Sequence, residues 1–146
     1  MRRYLVVANQ TLPSEQLQQE LLLRAESGES LFHFLVPDTP EGHYADTAAH
    51  ADDYPPGTQG ALMRLRDALA LVRSAGACAL GALGDPDPIE AVELQMQCSA
   101  YDEVIVSMLP ERTSRWFTLD IPSRIARSVT TPVTTVTAKD AISAGR

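Results

Sequence analysis

The feature that most constrains this chain is a series of short apolar runs that do not alternate with polar residues. Tyr4-Leu5-Val6-Val7-Ala8 is wholly apolar, Leu31-Phe32-His33-Phe34-Leu35-Val36 is broken only by His33, and Glu103-Val104-Ile105-Val106-Ser107-Met108 carries a β-branched centre. A strand with one wet face reads polar and apolar by turns, whereas a strand covered on both faces reads as a continuous run. Cys78 to Leu83 is a weaker run of small residues, and Val133 to Val136 a mixed one. Helical patterns lie between them. Leu17, Leu21 and Leu22 recur within Ser14–Ser27, and Leu62, Leu65, Leu69 and Val72 stand at i, i+3, i+7 and i+10 within Ala61–Ser74, a spacing expected of a core-facing stripe. Two further helical stretches precede the third strong strand and the last one, the second holding Trp116, Phe117, Ile121 and Ile125. Strand and helix in strict succession predict an α/β fold: a doubly wound, five-stranded parallel sheet with right-handed crossovers and helices on both faces, a Rossmann-like three-layer α/β/α arrangement. Ligands of such sheets sit at the carboxyl ends of the strands, where the strand order reverses.

The 146 residues suit one domain, here placed at 1–138 with a tail at 139–146. A net charge of -7 repels nucleic acid phosphates and anionic lipid, so neither nucleic acid nor membrane is an expected partner. Met1-Arg2-Arg3 has the charge of an export signal, but Tyr4 to Ala8 is too short to serve as its apolar core. Cys78 and Cys98 lie in apolar surroundings with no CxxC spacing, which predicts two buried, reduced thiols and a cytoplasmic protein.

Residues 37–59 hold four prolines and predict a long loop. His43, Asp46, His50 and Asp53 would share one face if part of it were helical. A metal needs three or four converging ligands with support behind them, so a solvated loop is the expectation and no metal is assigned. Gly84-Asp85-Pro86-Asp87-Pro88-Ile89-Glu90 is the clearest helix start: Asp87 to cap, Pro88 at the first helical position, Glu90 to reach back. His33, between two phenylalanines, reads as a structural histidine.

Leu83-Gly84-Asp85-Pro86, the helix opening Ile89-Glu90-Ala91-Val92 and Tyr101-Asp102-Glu103-Val104-Ile105-Val106 resemble the second half of a universal stress protein domain. Ser123-Arg124-Ile125-Ala126-Arg127 and Thr131-Pro132-Val133-Thr134-Thr135-Val136 resemble its last helix and strand. The resemblance implies a homodimer paired through that last strand, and a nucleotide pocket. ATP-binding members of the family carry an aspartate after the first strand. After the fourth they carry G-x-x-G, nine residues, then a glycine followed by Ser or Thr. This chain departs at both, with Asn9-Gln10-Thr11 after the first strand, and Ser107-Met108-Leu109-Pro110 then Leu119-Asp120-Ile121 after the fourth. Glycines in such loops let backbone N–H groups approach phosphate, whereas Pro110 has no N–H to offer. The chain therefore resembles a glycine-poor branch, for which no cofactor is expected and ATP or AMP is the alternative.

The pocket the resemblance implies is lined by Ala8, Asn9, Val36, Ser107, Met108, Arg112, Thr113, Ser114 and Arg115. Residues 111–127 carry four arginines against Glu111 and Asp120, a basic island of +2 in a chain otherwise at -9. One reading is a small-anion site at Arg112, Ser114 and Arg115, since guanidinium forks grip phosphate bidentately; the other is a set of structural ion pairs. Trp116 and Phe117 read as core anchors rather than a base-stacking platform. No nucleophile elbow, phosphate-binding loop or zinc-protease motif is present. The leading expectation is a non-catalytic, stress-linked binding or regulatory domain, homodimeric, with a degenerate nucleotide pocket. The alternatives are a nucleotide-binding stress protein that uses arginines at the phosphate site, and a nucleotide-processing enzyme of similar architecture.

Overall fold

A computed structural model describes residues 1–38, 54–55, 57–110 and 115–139 of the chain. The order is β1 (Arg2–Val7), α1 (Glu15–Glu26), β2 (Ser30–Pro37), α2 (Gly57–Ser74), β3 (Cys78–Gly84), α3 (Pro88–Cys98), β4 (Glu103–Met108), α4 (Arg115–Thr118), α5 (Ile121–Ser128) and β5 (Val133–Thr137). The five strands form one sheet in the order β3-β2-β1-β4-β5, every neighbouring pair parallel. This is the architecture that the strand and helix succession predicts.

Two cores lie on the two faces of the sheet. Leu17 and Leu21 of α1 and Ala61, Leu65, Ala68 and Val72 of α2 cover one face with Phe32, Phe34 and Val36. Ala91 and Val92 of α3, Trp116 of α4 and Ile121 and Ile125 of α5 cover the other, against Leu5, Val7, Val104 and Val106. Helices α1 and α2 thus carry the chain from β1 outward to β3, while α3 and α5 carry it back across the sheet to β5. Right-handed crossovers require that change of face when the direction of winding reverses.

Local signals set the helix ends. The Ser14 hydroxyl accepts from the Leu17 N–H at 3.2 Å and starts α1, and Asp87 caps α3 by accepting from the Ile89 N–H at 2.9 Å. The reach-back expected of Glu90 is made instead by Asp85, whose carboxylate takes the Asp87 N–H at 2.9 Å. An acceptor two residues upstream is already in place, so the longer reach has no donor left to satisfy.

Several expectations need correction. Leu62 is half exposed, and the buried stripe of α2 is Gly60, Ala61, Arg64, Leu65, Ala68 and Val72. The apolar spacing misplaced it because the true stripe includes a glycine, small alanines and a charged residue. Cys78 and Cys98 are both exposed rather than buried, since one opens an edge strand and the other closes α3. Phe117 and Leu119 are exposed as well, while Trp116, Ile121 and Ile125 are buried in the core against the sheet. The strand β2 runs through Pro37 and α2 starts at Gly57, narrowing the predicted loop. Residues 39–53, with His43, Asp46, His50 and Asp53, lie outside the described residues. Among the described residues no three His, Cys, Asp or Glu converge as metal ligands, and no helix is long and apolar enough to cross a membrane. His33 packs edge-on to Tyr101, ring centroids 6.1 Å apart; burial, then the neighbouring Arg3, pushes its imidazole below the usual range.

Candidate functional site: a closed crevice at the sheet switch point

The strand order reverses at β1, which has β2 on one side and β4 on the other. The connections leaving β1 and β4 pass to opposite faces, so their carboxyl ends splay apart and open the crevice where this architecture seats ligands. After β1 the chain turns tightly. The Asn9 carbonyl accepts from the Leu12 N–H at 3.1 Å and the Thr11 carbonyl from the Ser14 N–H at 2.9 Å, leading straight into α1.

Asn9 is buried and both ends of its amide are engaged. Its Nδ2 donates to the Pro37 carbonyl at the end of β2, 2.9 Å away, and its Oδ1 accepts from Arg64 Nη2 at 2.7 Å. Arg64 projects from the core face of α2 and is 8% exposed, an unusual position for a guanidinium. Two features bring it there. Gly60, one turn earlier, lets the Pro55 carbonyl pack against the helix where a Cβ would collide with it, and Ala61 keeps the helix close to the sheet. The Arg64 guanidinium carbon lies 5.6 Å from the ring centroid of Tyr54, and Tyr54 Oη donates to Asp67 Oδ2 at 2.8 Å. The β1–β2 side of the crevice is therefore filled by a stack that runs Asn9, Arg64, Tyr54.

On the β1–β4 side a cavity of about 20 Å³ remains, lined by Asn9, Gln10, Thr11, Ser107, Met108, Leu109 and Trp116. That is room for roughly one water, against roughly 300 to 1,000 Å³ for an ordinary small-molecule site. On its Ser107 and Thr11 side the two hydroxyls meet, Ser107 Oγ donating to Thr11 Oγ1 at 2.7 Å.

Of the residues singled out from the sequence, Asn9, Ser107 and Met108 come together around this cavity. Ala8 and Val36 are fully buried at the ends of β1 and β2 and do not line it. Arg112, Thr113 and Ser114 lie outside the described residues, and Arg115 is described only as the backbone start of α4. Gln10, Thr11, Leu109 and Trp116 were not assigned to the site, and neither was Arg64, whose only sequence signal is a charge one position before a core leucine. Asp120, at the position the resemblance assigns to a glycine, adopts φ 54°. Aspartate is among the few side chains that tolerate this left-handed conformation.

No known family's sequence profile matches this chain, and no curated protein matches it by sequence. Solved structures do match it. A universal stress protein from Archaeoglobus fulgidus in complex with dAMP superposes with a TM-score of 0.57 at 12% identity, covering 93% of this chain and 98% of that one. A universal stress protein family protein from Arabidopsis thaliana with AMP bound gives 0.58 at 10% identity, covering 95% and 93%. An antimicrobial reagent A40926 pseudoaglycone deacetylase gives 0.51 at 12% identity, covering 99% of this chain and 66% of that one. The fold of this chain is that of the universal stress proteins.

Proposed function

We propose that this chain is a non-catalytic, universal stress protein-like binding or regulatory domain, working as a cytoplasmic homodimer, whose nucleotide crevice is closed. One observation carries the reading: the crevice at the strand switch point, where this architecture seats ligands, is filled on its β1–β2 side by Asn9 and Arg64 and keeps about 20 Å³ on the other, while similar structures are complexes with dAMP or AMP. The hydroxyls of Ser107 and Thr11 are spent on each other, which supports a non-catalytic role. The rival in which Arg112, Ser114 and Arg115 grip a phosphate is supported by the ligands of the similar structures and by the basic island. A third, an enzyme of this architecture, is supported by the deacetylase likeness alone.

Mg-ATP at millimolar concentration is expected to leave the melting temperature of the protein unchanged. A ligand present at 100 times its dissociation constant adds about 2.7 kcal/mol of stability, easily seen in a melting curve. A clear upward shift would replace the closed-crevice reading with the phosphate-gripping one.

The dimer is assigned to β5. Among the described residues this strand has one neighbour, β4, which leaves an edge suited to pairing. The Pro132 carbonyl and the Ala138 N–H both bond toward β4, so by the two-residue period of a strand Val133, Thr135 and Thr137 turn their backbone groups outward. Proline at Val133 and Thr135 would remove outward donors and spare the ladder to β4. Light scattering at tens of micromolar should show a dimer for the native chain and a monomer for Val133→Pro/Thr135→Pro. A native monomer, or a folded variant that stays dimeric, would overturn the assignment.

A further inference from the structure

We propose that the outer edge of β3 is an interface for a second copy of this chain, paired antiparallel about Gly81. Among the described residues β3 has one neighbour, β2, and it lies at the opposite edge of the sheet from β5. Cys78–Gly84 contains no charged residue and no proline, the devices that usually keep a sheet edge from pairing. The Gly84 carbonyl accepts from the N–H of Asp38, which follows β2. By the two-residue period of a strand, Ala79, Gly81 and Leu83 therefore turn their backbone groups outward.

Apolar surface borders this edge on both faces of the sheet. Leu80 and Ala82 stand in register with His33 and Leu35 and share the face that α3 covers further in, yet both are exposed. The path of α3 explains this. The helix meets β3 at its carboxyl end, where a Cβ on Gly84 would touch Ala91, and then crosses toward β4. Leu94, one turn after Ala91, is left exposed on the flank nearest β3. On the other face Leu62 is half exposed and shares a flank of α2 with Arg73, three turns on. Arg73 Nη2 donates to the outward Ala79 carbonyl at 2.7 Å, which places that flank at the edge.

The distribution of charge selects the occupant. Arg73 sits beside Ala79 near one end of the strand, and Asp85 and Asp87, both exposed, follow its other end. An edge with a basic end and an acidic end complements itself when two copies run antiparallel. With Gly81 opposite Gly81 of the second copy, Ala79 falls opposite Leu83, and Arg73 lies beside the turn that carries Asp85, twice over by the twofold. Leu80 and Ala82 then meet across the join, and the two sheets become one. Arg73 also covers a carbonyl that the ladder would use, and the contact of one strand edge is small. The pair is therefore weak, with a dissociation constant of about 0.1 to 1 mM. It is separate from the contact assigned to β5 and does not depend on it.

The experiment is light scattering of the full chain from tens of micromolar to about 2 mM, with amide NMR over the same range. The weight-average mass is expected to rise at least about 1.5-fold, with shift changes centred on Gly81 and Leu83. Leu80→Lys/Ala82→Lys sets like charges opposite one another at two exposed positions. It should abolish the rise and leave the association state at tens of micromolar unchanged. Arg73→Glu brings an acid to the Asp85 turn and should weaken the pair about fivefold. Arg73→Glu/Asp85→Lys should recover it, and since both variants lack the Ala79 contact, their difference reads the charge alone. A mass that stays constant up to about 2 mM overturns the proposal. So does a folded Leu80→Lys/Ala82→Lys protein that rises like the native chain, or a charge reversal that recovers nothing. Shift changes confined to β5 would overturn it as well, by assigning the growth to that edge. A native chain that is monomeric at tens of micromolar and still pairs through β3 near 2 mM would overturn the β5 assignment and leave this one standing.

Discussion

Trp116→Ala is expected to destabilise the protein by about 3 kcal/mol, at the lower end of the range for removing a large buried aromatic side chain. For a chain of this length that is a fall in melting temperature of roughly 10 °C. Trp116 is 7% exposed and belongs to the core formed with Met108, Ile121 and Ile125. It also forms the wall of the crevice cavity next to Leu109. Its removal therefore loosens the seat of α5 and enlarges the cavity on the β4 side, away from Arg64. Phe117, the next residue, is 46% exposed, and Phe117→Ala should cost much less. Urea unfolding of both variants checks the pair, and equal losses would contradict the placement of Trp116 as the anchor.

The crevice shows where reading a sequence succeeds and where it stops. The five parallel strands were legible because a strand buried on both faces leaves a continuous apolar run, and Tyr4–Ala8 and Glu103–Met108 are such runs. Asn9 and Ser107 followed from them, since an α/β sheet puts its ligand site at strand ends. Arg64 did not. A helix facing a core is recognised by its apolar period, and on that period Arg64 is noise beside Leu65. Its burial depends on Gly60 and Ala61 bringing α2 close and on Asn9 waiting 55 positions away with a free acceptor. The exposed cysteines failed for a related reason. Apolar neighbours in the sequence signal a buried segment, and whether one residue of that segment faces the core depends on edge position and helix phase.

Asn9, where the resemblance implies an acidic residue, changes meaning in the structure. From the sequence it is a lost charge in a pocket that has decayed. In the fold it is a bifunctional amide, donating to Pro37 and accepting from Arg64, which an aspartate could not do because an ionised carboxylate only accepts. The Asn9 amide is thus bonded at both ends, whereas the buried Oε1 of Gln10, which also lines the cavity, has no hydrogen-bond partner among the described residues.

The opposite end of the sheet carries a bidentate ionic contact, and it yields a pH-dependent prediction. Glu103, first residue of β4, accepts from Arg24 Nε at 2.9 Å and from Nη2 at 2.8 Å, and also from the Thr134 hydroxyl. Arg24 reaches on to Glu20 of its own helix at 2.9 Å. The fork ties α1, β4 and β5 together with both side chains less than a fifth exposed. The Arg24 guanidinium, then the Thr134 hydroxyl, hold the Glu103 carboxyl below its usual 4.5 despite its partial burial. A carboxyl lowered on folding contributes stability that is present above its unfolded value and is lost as pH falls through its folded one. Glu103→Gln should therefore be less stable than the native chain by about 2 kcal/mol near neutral pH, the range for hydrogen bonds to charged groups. The gap should narrow progressively as pH drops below 4.5. Urea unfolding of the two proteins at about pH 7 and about pH 3 measures it, and a gap that stays constant would show that the fork contributes nothing through its charge. Because Glu103 and Ser107 stand at opposite ends of the same strand, Glu103→Gln should not open the crevice. Its AMP titration should match that of the native chain, and a gain in binding there would mean that loosening of the fold opens the site.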